Sequence, residues 1–122
     1  MRIVSILENQ NIEKRIAITP EIAKKYIALG FEISLVEKYG EHLGFKDNDY
    51  KELGVEISTN ETEILSKANI IIQLGLLSDE NLSNLKENQT LVGIFNPYNN
   101  KEKIENLSKK NINVFSLEML PR

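Results

Sequence analysis

Few side chains in this 122-residue chain are of a type that does chemistry, and their placement matters more than their number. Arg15 follows the first apolar run and stands four residues ahead of Thr19-Pro20, where a helix is predicted to start. A guanidinium there presents a planar fork suited to a carboxylate or a phosphate. The competing reading is an ion pair with Glu8 or Glu13, and spacing does not choose between them. Gln73 closes the Ile70 run and Asn96 follows the Thr90 run. In an open α/β sheet both positions are at the carboxyl ends of strands, where loops line the ligand crevice. Either side chain could hydrogen-bond a ligand or satisfy local backbone groups.

The single histidine, His42, sits in the polar stretch Gly40-Glu41-His42-Leu43-Gly44 and reads as a solvated surface residue. With no cysteine and no second histidine, a zinc site is not expected, and disulfide and thiolate chemistry are excluded. Six glycines are scattered at 30, 40, 44, 54, 75 and 93. None forms Gly-x-Gly-x-x-Gly or a Gly-x-x-x-x-Gly-Lys-Ser/Thr phosphate loop. The first run passes into Glu8-Asn9-Gln10-Asn11, with no glycine to let a pyrophosphate approach. The chain is therefore not expected to hold a dinucleotide by itself.

The elements that must position these residues are legible as alternation. Ile3–Leu7, Glu32–Val36, Val55–Ile57, Ile70–Leu74, Thr90–Ile94 and Asn113–Ser116 read as strands, and Ile70-Ile71-Ile72 as a central one covered on both faces. Thr19-Pro20-Glu21 supplies a cap, a first-turn proline and an acid for a helix ending at Gly30. Asn60-Glu61-Thr62-Glu63 starts a helix to about Ala68, Ser78 one to about Lys86, and Asn99 or Asn100 the last; a short helix falls around Asp49–Leu53. Strand and helix alternate throughout, so the expected fold is a three-layer α/β/α domain with a parallel sheet. It is flavodoxin-like, or Rossmann-like, without the dinucleotide fingerprint, and one domain spans 1–122.

Composition agrees. Hydrophobic content is 41% and net charge −3, with a pI near 5.3, so nothing calls for nucleic acid. No export signal and no membrane-spanning run are visible, and a cytoplasmic setting is expected. The ending Leu117-Glu118-Met119-Leu120-Pro121-Arg122, directly after a strand, reads as one piece of a longer polypeptide.

Arg2-Ile3, Glu8 and the block Glu13-Lys14-Arg15-Ile16-Ala17-Ile18-Thr19-Pro20 resemble the N-terminal signature of the alanine dehydrogenase and pyridine nucleotide transhydrogenase family. The likeness continues through Leu29-Gly30-Phe31-Glu32, Gly40, Phe45, Gly54 and Ala68-Asn69-Ile70-Ile71, essentially the whole chain. The tail, with Pro97, is most similar to the transhydrogenase α subunit. That resemblance implies a subunit that binds NAD(H) in two parts and passes hydride to NADP(H) on a membrane-bound β subunit, coupled to proton translocation. It also implies an NAD-binding domain past Arg122, a homodimer of the full subunit, and a place at the inner face of the plasma membrane through partners. This chain alone would be inactive. By the same resemblance Arg15 matches an arginine that binds substrate carboxylate in alanine dehydrogenases. Arg122 matches the first arginine of a loop that approaches the nicotinamide cofactor in transhydrogenases.

Three departures discriminate. The family usually has lysine where this chain has Gln73, alanine dehydrogenases have a catalytic histidine where it has Asn96, and Ser5-Ile6-Leu7 replaces an Ile-Pro-basic stretch. Without that lysine and histidine, amino-acid deamination loses its acid/base, whereas hydride exchange between two nicotinamides needs none. The alternatives are a divergent alanine dehydrogenase-like domain and a stand-alone flavodoxin-like binding module.

Overall fold

Val4, Ile71 and Leu91 stand at adjacent registered positions of three neighbouring strands, and each is fully buried. Apolar residues without alternation at the centre of a parallel sheet need cover on both faces, and the chain supplies it. The computed structural model describes residues 1–95 and 100–117. In chain order the elements are β1 (Arg2–Ser5), α1 (Pro20–Ala28), β2 (Glu32–Val36), a 3₁₀ turn (Glu41–Leu43), α2 (Asp47–Lys51) and β3 (Glu56–Ser58). They continue with α3 (Glu61–Lys67), β4 (Ile70–Ile72), α4 (Asp79–Ser83), β5 (Thr90–Gly93), α5 (Lys101–Lys109) and β6 (Asn113–Ser116). All strand pairs are parallel and the order is β3-β2-β1-β4-β5-β6.

That is the strand order of dinucleotide-binding folds, so the Rossmann-like description fits the topology more closely than the flavodoxin-like one. Right-handed crossovers put α1 and α2 on one face and α3 to α5 on the other. The side chains agree: Asn81 of α4 donates to Glu61 of α3 at 2.6 Å, and Lys103 of α5 bridges to Asp79 of α4 at 3.1 Å. Helix starts follow the sequence. Thr19 Oγ1 accepts the Ile22 N–H with Pro20 at the first helical position, Asn60 Oδ1 accepts the Glu63 N–H, and Ser78 Oγ accepts the Asn81 N–H. Asn96 to Asn99 and the tail from Glu118 to Arg122, including the candidates Asn96 and Arg122 and the branch marker Pro97, lie outside the described residues.

Several boundaries differ from the sequence reading, and three of them have an identifiable reason. β1 ends at Ser5 rather than Leu7 because the Ile6 N–H and carbonyl bond to the Gln73 side-chain amide, not to a neighbouring strand. β4 ends at Ile72 because the Leu74 N–H is taken by the Glu8 carboxylate. α4 stops at Ser83 instead of reaching Lys86, whose N–H goes to Gln89 Oε1 at 2.8 Å. Near the β6 edge, Ile94 after β5, Phe115 in β6 and Leu117 just past it stay 38%, 61% and 47% exposed.

Candidate functional site at the carboxyl ends of the central strands

β1 and β4 are neighbours in space but far apart in sequence, and the sheet reverses its order between them. Ligands of open α/β sheets bind at such a point. A crevice of about 350 Å³ opens there, walled by Ile6, Leu7, Ile12, Leu76 and Leu77, with Glu8, Asn9, Glu61, Gln73, Ser78 and Asn81 as its polar groups. No lysine or arginine lines it among the described residues.

Gln73 is the hinge pin of this site. Its side chain is 2% exposed, and its amide is fully used. Oε1 accepts from the Ile6 N–H at 2.6 Å and from Ser5 Oγ at 2.9 Å. Nε2 donates to the Ile6 carbonyl at 3.0 Å and to Glu8 Oε2 at 2.9 Å. A lysine could not replace these contacts, because it has donors only. Gln73 therefore extends β1 by one residue with a side chain in place of a strand.

Glu8 completes the arrangement. Its carboxylate accepts from the Leu74 N–H at 2.8 Å, from the Gly75 N–H at 3.0 Å and from Gln73. Burial pushes this carboxyl above its ordinary range, more strongly than the two backbone donors pull it down. In a phosphate-binding version of the fold, backbone amides at this end meet the ligand's anion. Here the two amides that follow β4, those of Leu74 and Gly75, carry a carboxylate of the same chain, and Glu61 adds a second acidic group to the wall. The first helix begins only at Pro20, with its N-terminus capped by Thr19, so no free helix end faces the crevice after β1.

Behind Gln73 runs a buried polar chain. Ser5 Oγ, Tyr39 and the backbone of the β1–α1 loop are joined in series: the Ala17 and Ile18 N–H groups both donate to Tyr39 Oη at 3.1 Å. With those two bonds arriving, the phenol proton is directed to Ser5 Oγ at 2.8 Å, and the single Ser5 proton is shared between the Ile72 carbonyl at 2.6 Å and Gln73 Oε1 at 2.9 Å. Tyr50 Oη donates to the Ile18 carbonyl at 2.8 Å, and its ring meets that of Tyr39 edge-on at 6.1 Å. Burial raises the Tyr39 phenol to about 12 and pushes Tyr50 upward as well. Both stay protonated, which the network requires.

Arg15 lies apart from this crevice and is not among its lining residues. Its Nε donates to Glu13 Oε1 at 2.6 Å, which resolves the ion-pair partner in favour of Glu13 over Glu8. The side chain is 74% exposed, so most of its fork faces solvent. His42 is exposed too, yet both ring nitrogens have partners: Nε2 meets the Lys14 carbonyl at 2.8 Å and Nδ1 meets Gln10 Nε2 at 3.2 Å.

Sequence reasoning passes over Glu8 as a site residue, and also Tyr39 and Gly93. A Cβ added at Gly93 would stand 1.9 Å from the Gln73 carbonyl oxygen and 2.4 Å from the Phe95 ring. Only glycine lets β5 pass that close to the residue holding the crevice together. A glycine ending an apolar strand is the available signal. For Glu8 the available signal is its place in the family resemblance, and for Tyr39 there is none, because its partners are tens of residues away.

Taken together, the fold and the site define a dinucleotide-type α/β domain whose first turn lacks a phosphate loop and whose switch-point crevice is acidic. The model of the N-terminal domain of the alanine dehydrogenase/PNT family matches residues 6–122, and the chain belongs to that family. Among curated proteins it is 36% identical to the first portion of the NAD(P) transhydrogenase subunit alpha of Rickettsia prowazekii, over all of this chain and 33% of that one. It is 32% identical to NAD(P) transhydrogenase subunit alpha of Haemophilus influenzae, over 96% of this chain and 22% of that one. The chain thus spans a third or less of the length of these relatives. The solved transhydrogenase of Sinorhizobium meliloti superposes with a TM-score of 0.87 at 24% identity, covering 98% of this chain and 36% of that one, a likeness of fold.

Proposed function

We propose that this chain is the N-terminal part of an NAD(P) transhydrogenase α subunit, an oxidoreductase domain that works only together with a separate NAD-binding domain. The observation that carries the reading is the β1–α1 connection: α1 starts only at Pro20 with its N-terminus already capped by Thr19, so the first turn offers a dinucleotide's phosphates no free helix end. A domain built this way contributes a wall to a cleft and leaves the cofactor's pyrophosphate to another domain. NAD(H) in the full subunit, an NADP(H)-binding β subunit in the membrane, proton translocation and a homodimer all belong to this reading by relationship. Among the described residues no helix is long and apolar enough to cross a membrane, which fits attachment through partners. The exposed Phe115 and Leu117 supply an apolar edge for the second domain to cover.

Within that arrangement we assign Arg15 as the contact for an anionic ligand group and Gln73 as the residue that shapes the cleft, with Asn96 and Arg122 as further contacts to ligand and nicotinamide. Arg15 supports its role by presenting an exposed fork beside one carboxylate, that of Glu13. The alanine dehydrogenase-like alternative is disfavoured by a crevice that carries acids and that no cation lines among the described residues. The test is a chimera in which this chain replaces the N-terminal third of the Rickettsia relative. Reduction of NADP⁺ by NADH in the presence of the β partner is expected, with no alanine-dependent formation of NADH. Alanine-dependent NADH formation would turn the reading to the alternative.

A further inference from the structure

Residues 6–19 join β1 to α1, a span far longer than the two to six residues common for such connections. The two ends of this loop are tied into the buried network, through Glu8 at one end and through Ala17 and Ile18 at the other. Its exposed middle, which carries Arg15, folds on itself: the Ile12 and Glu13 N–H groups both reach the Asn9 carbonyl, at 2.9 and 2.8 Å. Among the described residues, His42 is the one side chain from outside the loop that hydrogen-bonds this middle section. The Lys14 carbonyl can only accept, so Nε2 carries the proton and Nδ1 accepts from the Gln10 amide. The ring is delivered by the 3₁₀ turn Glu41–Leu43, which ends at Gly44 in a left-handed conformation, φ +88°.

We propose that His42 is a positioning residue, a latch that holds the Arg15-bearing segment in place so that the guanidinium is presented in one geometry. The proposal rests on the reading of Arg15 as an anion contact, and it explains why a long surface loop is fixed at its middle by a residue from the β2–β3 connection. Ordering the loop in advance spares the ligand that entropy cost.

The test is amide exchange and ¹⁵N relaxation on the 122-residue chain, with pyruvate as the anion probe. His42→Ala is expected to speed exchange at Ile12 and Glu13 roughly five- to tenfold, the scale of one lost hydrogen bond, with β1 and β4 amides unchanged. It should also weaken the pyruvate-induced shift of the Arg15 Nε–H resonance several-fold. His42→Gln, which keeps a donor near the Nε2 position, should restore both in part. Unchanged exchange at Ile12 and Glu13 would overturn the latch, and so would acceleration spread equally over the sheet, which marks general support. If pyruvate moves the spectra of wild type and Arg15→Gln alike, the Arg15 reading fails instead, and the exchange arm still decides the latch.

Discussion

Tyr39 shows how much one buried side chain carries in this domain. Its oxygen receives two backbone N–H groups of the β1–α1 loop and passes its own proton to Ser5. Tyr39→Phe leaves those donors without a partner in an apolar setting and is expected to cost about 1–3 kcal/mol by chemical denaturation. Tyr50→Phe removes only a donor to the Ile18 carbonyl, and a smaller loss, about 0.5–1.5 kcal/mol, is expected. Glu8 adds a pH dependence. Its carboxyl is raised in the folded state, so the native protein holds this proton more tightly than the unfolded chain does. The associated stability is fully present below the unfolded value of 4.5 and is lost as pH rises through the folded value. Unfolding midpoints of wild type relative to Glu8→Gln, measured from pH 4 to pH 7, should therefore decline with rising pH. A rising difference would show that the backbone donors outweigh burial.

At the scale of elements, the sequence announces where helices begin more clearly than where strands end. Caps such as Thr19, Asn60 and Ser78 act within three residues, so their signal is local and readable. The ends of β1 and β4 are set by Gln73 and Glu8, whose partners stand more than sixty positions away, and no local pattern reports them. His42 reads as merely solvated for the same reason: Lys14 and Gln10 approach it only once β1 and β2 are paired. Gly93 is a sharp test of the strand-end packing. In Gly93→Ala the new methyl meets the Gln73 carbonyl, and a loss of about 3 kcal/mol or more is expected, read as a lowered denaturation midpoint. If the variant is as stable as wild type, β5 is not held against Gln73 in the way described.

The whole molecule repeats the lesson at larger range. Alternation of strands and helices is enough to give a three-layer parallel α/β domain, because each element's period is encoded within itself. The strand order, which distinguishes the dinucleotide fold from its relatives, depends on which side of β1 the chain returns to after β3, and sequence pattern does not contain that choice. What the structure adds to the missing glycine fingerprint is an acidic setting at the switch point: Glu8 holds the Leu74 and Gly75 amides, and no cation lines the crevice among the described residues. The most direct measurement is a calorimetric titration of the 122-residue chain with NADH. No saturable heat is expected at millimolar cofactor. Saturable binding in the micromolar range would mean that this domain holds a dinucleotide by itself, and the two-part reading would fall.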